Sequence, residues 1–393
     1  MKNLIYTQNN RNTGDAPYRT LLYFLGGPVF LLAILLMVGC SAHKTESGNS
    51  GTAHTGMRNL PSMEFVADMG AGWNLGNALD TEDIDETAWG NPRTTQKMID
   101  EIARIGFKTL RLPVTWRFHL GEAPGYLIEA EWLDRVEEVA NYAFANRMYV
   151  IINIHHDDPW IIPTYDKAED VKMKLAEVWT QIAEHFKEYG DYLIFETLNE
   201  PRHEGSPEEW KGGTAEGREV VNQYHKVSVD AIRATGGNNA TRKLMVSTYA
   251  ASTRPEALND FRIPNNDKNV LVSLHSYFPY TFCLSGEDTT WGTEDEKKAL
   301  DLEFNKIYDH FIVKGQAVVM GEWGATDHQN PDGRLTHSSF YATGCATRGI
   351  CPVWWDNGNK NEFALFDREN TFWLFPEVAE AILEEVTGSN SLR

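Results

Sequence analysis

Cysteine is scarce, with four residues in 393: Cys40, Cys283, Cys345 and Cys351. No CxxC pair and no Cys/His cluster with zinc-ligand spacing occurs, which argues against a structural zinc site. Basic charge is also in deficit. Lys and Arg total 36 against 56 Asp and Glu, a net charge of −20. Nucleic acid and anionic membrane surfaces are therefore poor partners, whereas a neutral substrate is not repelled. No GxGxxG turn follows an early strand-like run, so a doubly wound dinucleotide-binding sheet lacks its phosphate turn. The acidic stretch from Asp327 to Asp332 does not have EF-hand spacing and reads as an ordinary turn.

Aromatic residues are plentiful, at 11% with 12 tryptophans, in a chain 42% hydrophobic and 23% charged. That balance indicates a globular protein with a large core. At the N-terminus, Lys2, Arg11 and Arg19 precede an apolar run from Leu21 to Val38, interrupted by Gly26-Gly27-Pro28 and closed by Gly39-Cys40. It resembles a bacterial lipoprotein signal. Residues 1–39 are then a signal peptide, and Cys40 a lipidated N-terminus at the cell envelope, in the outer membrane or at the cell surface. The alternatives are free secretion and a retained membrane anchor; the abrupt end of the run at Cys40 disfavours the latter. With Cys40 modified, three thiols remain and at least one is unpaired in a monomer. Spacing alone does not decide whether Cys345 and Cys351 pair. Residues 40–56 read as a Ser/Gly/Thr-rich tether, and 57–388 as one folded domain.

Within that domain eight strand-like runs alternate with helix-like ones. The strands begin at Gly72, Thr109, Tyr149, Tyr192, Leu244, Val270, Ala317 and Pro352. Most are uniformly apolar, as expected of parallel strands buried on both faces. Between them lie amphipathic segments. One runs from a Thr95 cap through Met98, Ile99 and Ile102 to a stop at Gly106. Eight such units predict a single (β/α)8 TIM barrel, with its active site at the C-terminal ends of the strands.

Polar residues collect at those ends. The fourth run closes in Phe195-Glu196-Thr197-Leu198-Asn199-Glu200-Pro201 and the seventh in Met320-Gly321-Glu322-Trp323. Arg111, His155, His275, Tyr277 and Trp355 occupy corresponding positions. The motifs GWNLGNALD (72–80), RLPVTW (111–116), INIHHDD (152–158), FETLNEPR (195–202), HSYFPY (275–280), MGEWGA (320–325) and WWDNG (354–358) follow in order. Together they resemble glycoside hydrolase family 5 of the cellulase superfamily. ETAWGNP (86–92) and SLHSYFPY (273–280) point to its subfamily 4.

The resemblance implies a retaining endo-β-1,4-glucanase that acts on a plant cell-wall β-glucan polysaccharide or oligosaccharide, needs no metal or organic cofactor, and is a monomer. Cellulose, xyloglucan, mixed-linkage glucan and xylan are the substrates it implies, with mannan more distant. Glu200 becomes the general acid/base and Glu322 the nucleophile, with carboxyl groups about 5–5.5 Å apart. Repulsion from an ionised Glu322 is expected to raise the Glu200 pKa. Arg111 and Tyr277 would hold Glu322, Asn199 would bond the sugar 2-OH, and Trp355 would stack beneath the reacting sugar. His155, His156, His275 and Asn74 complete the expected substrate-binding or supporting set.

Other readings compete. Glu196 is the rival acid to Glu200, but it lies deeper in the strand and reads as a buried structural partner, with Arg111 able to pair it. His155 and His156 could form a metal site, although adjacent strand residues point to opposite faces. Of Trp73, Trp89, Trp160 and Trp323, one or two are expected to stack on sugars and the others to pack. A non-catalytic carbohydrate-binding lipoprotein on the same barrel is the alternative of a different class.

Overall fold

The computed structural model describes residues 55–390. The expected signal peptide, the expected lipidation site and the expected tether up to residue 54 lie outside the described residues. Eight parallel strands close into a barrel in sequence order. They are β1 (Gly72–Leu75), β2 (Thr109–Leu112), β3 (Tyr149–Asn153), β4 (Leu193–Glu196), β5 (Leu244–Ser247), β6 (Val270–His275), β7 (Val318–Trp323) and β8 (Cys351–Asp356). β8 pairs back onto β1, so the sheet has no free edge. Helix α1 (Ser62–Met69) precedes the barrel. α2 (Gln96–Ile105), α3 (Ala130–Ala145), α4 (Ala168–His185), α5 (Ala215–Ala234), α6 (Pro255–Asp260), α7 (Glu294–His310), α8 (Pro331–Thr347) and α9 (Pro376–Asn390) each follow a strand. A two-stranded antiparallel ribbon, β9 (Phe366–Asp367) with β10 (Phe372–Trp373), intervenes before α9. This is the predicted (β/α)8 barrel.

Local chemistry explains the elements. α2 buries Met98, Ile99 and Ile102 at helical spacing and ends on Gly106, whose φ of 129° suits only glycine. Thr95 does stand at its N-cap, but the side chain makes no capping bond. The full capping box is at α7, where Thr293 and Glu296 satisfy each other's backbone N–H groups.

The barrel's N-terminal end is stoppered by α1. Phe65, Val66 and Met69 pack onto Tyr149, Ile151, Ile194, Met245, Leu271, Val319 and Val353. Each such full burial is worth about 1.5–3 kcal/mol. Arg58 fastens the approach to this helix, donating to Asp191 and to Asp68, both at 2.8 Å. The backbone is already tied down at residues 55 and 56. Asn238 Nδ2 donates to Thr55 O (3.3 Å) and the Asp191 N–H to Gly56 O (3.1 Å).

Above the apolar layer the barrel interior turns polar. Asn74, Arg111, Asn153, Glu196 and Ser273 are all fully buried there. One irregularity sets the next layer. β6 and β7 pair Leu274 with Met320 but His275 with Glu322, so β7 carries an extra residue, Gly321. Such a bulge turns the following side chain to the other face, which brings Glu322 inward. Gly321 is required there because a Cβ would lie 2.9 Å from Ser273 Oγ and 3.1 Å from His275 Nε2. Asn74 Nδ2 fastens the bulge by donating to Gly321 O at 2.9 Å. The thiols of Cys283, Cys345 and Cys351 are buried and unpaired. Among the described residues no helix is long and apolar enough to cross a membrane.

Candidate active site

A cleft of about 700 Å³ opens at the C-terminal ends of the strands. His155, His156, Asn199, Glu200, His275, Tyr277, Glu322 and Trp355 all line it. Arg111 and Asn74 lie beneath its floor with no exposed surface, so they support the site without reaching a ligand.

Glu200 stands four residues beyond β4, yet backbone bonds on both flanks hold the segment. The Thr197 N–H donates to Met245 O and the Asn199 N–H to Ile154 O, both at 2.9 Å. Pro201 then ends the extension, and its carbonyl accepts from the Ala250 N–H at 3.0 Å. A buried strand thus delivers a carboxylate into the cleft on a rigid stub. Trp355 depends on a glycine across the β1–β8 pair. A Cβ on Gly76 would sit 2.7 Å from the indole ring.

Arg111 organises the floor. Its Nη1 donates to Glu322 Oε1 and its Nη2 to Asn199 Oδ1, both at 2.8 Å, while Nε donates to Glu196 Oε2 at 2.8 Å. Fixing Asn199 by its oxygen leaves the amide N–H groups for the cleft. Tyr277 OH donates to the other Glu322 oxygen at 2.8 Å. His275 Nδ1 is 2.8 Å from Glu200 Oε1 and 3.6 Å from Glu322 Oε2. A carboxylate oxygen from each glutamate and a ring nitrogen of His275 all lie within 4.8 Å of one another. That fits the short carboxyl separation of double displacement and falls below the roughly 6.5–9.5 Å of inverting pairs.

The charges follow from these contacts. Burial opposes the Arg111 cation, but Glu196 and Glu322 outweigh it, and the guanidinium pKa is raised. Burial, then the Glu322 and Glu200 charges, raise the Tyr277 phenol far above its usual value, so it remains a donor. The expected rise at Glu200 is not found. Burial pushes this carboxyl up, but the His275 hydrogen bond and charge, with Arg202 and Arg111, bring it below its ordinary value. The Glu322 charge acts on the imidazole instead. Burial lowers His275, and Glu322 and then Glu200 raise it above 6.5. Both shifts favour an imidazolium–carboxylate pair across the 2.8 Å bond. In the wild-type protein the His275 ring should therefore titrate above 6.5, and Glu322→Gln should lower it. Nitrogen-15 NMR of the histidines checks this; an unchanged His275 titration in the variant would contradict it.

His155 and His156 are not on opposite faces as predicted. β3 ends at Asn153, strand alternation ends with it, and both rings turn into the cleft at 4.4 Å centroid separation. With Asp80 they bring potential metal-ligand atoms within 4.8 Å. The hydrogen bonding does not suit a metal. Asn153 Oδ1 accepts from the Val114 N–H, so its Nδ2 donates to His155 Nδ1 at 3.1 Å. Burial, with the His156 and Arg111 charges, keeps His155 neutral. Its one ring proton is then on Nε2, the nitrogen 4.0 Å from Asp80. Nε2–H is a donor for a ligand hydroxyl, not a lone pair for a cation.

The tryptophans divide clearly. Trp73 and Trp323 are core; Trp323 stacks on Tyr341 at 4.3 Å. Trp160 is held by Asp157 and covered by Lys174, away from the cleft lining. Trp89, 41% exposed, extends an aromatic row from Trp355 through His155 and His156. Sequence reasoning missed Trp210 and Tyr280, which are 54% and 63% exposed and also line the cleft. Arg202 holds Trp210 by lying over its ring at 4.6 Å. Tyr280 was within a quoted motif; Trp210 lies in a loop with no periodicity to mark it.

Residues 75–361 match the family model for cellulase, glycosyl hydrolase family 5. Endoglucanase B of Clostridium cellulovorans is 50% identical over 343 residues, covering 85% of this chain and 78% of that protein. The structure of ZgEngAGH5_4 in complex with a cellotriose is 69% identical, with a TM-score of 0.83, across 84% of this chain and 99% of that one. A GH5-4 broad specificity endoglucanase from Ruminococcus champanellensis with bound cellotriose is 41% identical. Its TM-score is 0.81, over 83% of this chain and 99% of the other. The fold, the paired glutamates and these similarities agree: the chain belongs to the cellulase family, glycosyl hydrolase family 5.

Proposed function

We propose that this protein is a retaining endo-β-1,4-glucanase that cleaves internal bonds of plant β-glucans by double displacement. The observation that carries the reading is the cluster of Glu200, His275 and Glu322 within 4.8 Å at the floor of an aromatic-lined cleft. Glu322, held by Arg111 and Tyr277, attacks the anomeric carbon and forms a glycosyl-enzyme ester. Glu200 takes up the proton it shares with His275 and delivers it to the departing oxygen. It then deprotonates the water that releases the sugar. The Asn199 amide meets the 2-OH, and the His155 Nε2–H another hydroxyl. Trp355 carries the reacting ring.

With that ring over Trp355, the row toward His156 and Trp89 receives the glycone side of the chain. Trp210 and Tyr280 then flank the leaving-group side. Trp210→Ala should raise KM for soluble β-glucan about tenfold, by loss of roughly 1–1.5 kcal/mol of stacking, with little change in kcat. Steady-state kinetics checks this, and an unchanged KM would remove Trp210 from the binding surface. Cellulose, xyloglucan, mixed-linkage glucan and xylan fall within the proposed range; the similar structures include broad specificity endoglucanases and a lichenase. Screening the purified protein on these polymers and mannan, with product sizing, tests both substrate and endo action. Inactivity on all of them would overturn the proposal.

The proposal extends to a monomer anchored through lipid at Cys40. Mass spectrometry for a diacylglycerol group on Cys40 tests the anchor.

A further inference from the structure

One buried carboxylate without a task in the mechanism lies directly beneath the paired glutamates. Glu196 is fully buried below the cleft floor and cannot touch substrate. Its oxygens are saturated with donors. Oε2 accepts from Arg111 Nε (2.8 Å) and Asn153 Nδ2 (3.0 Å), and Oε1 from Ser273 Oγ (2.5 Å). Each nitrogen donor also leads to the site. Arg111 turns its Nη1 to Glu322 and its Nη2 to Asn199, while Asn153 fixes the His155 tautomer. A buried arginine with a single carboxylate partner would give that partner its whole charge. Here the guanidinium is divided between Glu196 and Glu322.

We propose that Glu196 is a positioning residue of the hydrolytic site, aiming Arg111 and limiting how far its charge stabilises the Glu322 carboxylate. The inference rests on Glu322 being the nucleophile. A carboxylate bearing the full arginine charge ionises more readily and attacks less well, so sharing the charge keeps Glu322 reactive. The charged or titratable groups facing Glu322 are Arg111 from β2, Glu200 from the segment after β4, and His275 and Tyr277 from the end of β6. Glu196 acts through the first of these.

Glu196→Gln tests the proposal, because it removes the charge and keeps nearly the same shape. The probe is 2,4-dinitrophenyl β-cellobioside, whose leaving group needs no acid assistance, so kcat/KM reports attack by Glu322. The expected result is a fall of at least about thirtyfold in kcat/KM with KM changed less than threefold. The acid limb of the pH profile should move down, since opposite charge at short range favours ionisation. Ser273→Ala removes a donor from Glu196 and concentrates its charge, so the same limb should move up. That opposite sign gives a readout if Glu196→Gln does not fold. An acid limb unmoved in both variants, or activity lost only in proportion to the folded fraction, would overturn the proposal. Labelling wild-type protein with a 2-deoxy-2-fluoro-cellobioside separates this from its premise. A label away from Glu322 refutes the nucleophile itself, whereas a label on Glu322 with unmoved limbs refutes only the role of Glu196.

Discussion

Glu322→Ala is expected to lower kcat on soluble β-glucan by at least about 10⁴-fold, or about 5.5 kcal/mol of barrier. Neither neighbouring glutamate can replace it. Glu200 is engaged with His275, and Glu196 is sealed below the floor. The barrel should survive the change, because Arg111 keeps Glu196, Asn74 and Asn199 as partners. Binding of cellotriose should be retained, since Trp355, Asn199 and His155 are untouched. The space left beside Arg111 and Tyr277 also suits a small anion. Added azide should therefore restore turnover and yield a glycosyl azide of inverted configuration, from one displacement in place of two. Kinetics with NMR of the azide product checks both halves. Near-normal turnover without azide would remove Glu322 from the chemistry.

Glu200→Ala should be nearly as damaging on polymer, by about 10²–10⁴-fold in kcat, but with a different signature. A leaving group that needs no protonation bypasses the acid role. On 2,4-dinitrophenyl β-cellobioside the first step should stay fast while release, deprived of its base, becomes slow. Rapid mixing should then show a burst of about one equivalent of dinitrophenolate and a slow steady state. Azide should accelerate that steady state and give a product of retained configuration. A variant slowed equally on polymer and activated substrate, without a burst, would contradict the assignment. The shared proton adds a constraint for the wild-type enzyme. His275 is raised above 6.5, so the basic limb of kcat/KM should lie above that pH, with activity lost as the pair gives up its proton.

Much of this was legible in the sequence because buried parallel strands read as uniformly apolar runs, and polar residues at their ends stand out. Asn199-Glu200-Pro201 is visible in that way, and so is the depth of Glu196. The approach of Glu322 is not. Its inward aim comes from the bulge at Gly321, and a one-residue register shift leaves no trace in an apolar run. His155 and His156 were assigned opposite faces because both were read as strand residues, whereas β3 ends at Asn153; alternation holds only while the backbone stays extended. The direction of the Glu200 shift depended on which group stands 2.8 Å from it, and His275 is 75 residues away in sequence. α1, at 8 residues, and the β9–β10 ribbon, with 2 residues per strand, are too short to produce a periodic signal. Trp210 sits in a loop, where exposure follows from the fold and not from any local pattern.

The central claim is that one defined carboxylate becomes covalently attached to the sugar while its neighbour handles the proton. Incubation with 2,4-dinitrophenyl 2-deoxy-2-fluoro-β-cellobioside, followed by digestion and tandem mass spectrometry, tests it most directly. The account requires a single fluorocellobiosyl group esterified to Glu322, in the peptide containing Met320-Gly321-Glu322-Trp323. A label on Glu200, or hydrolysis that continues without any covalent adduct, would contradict it.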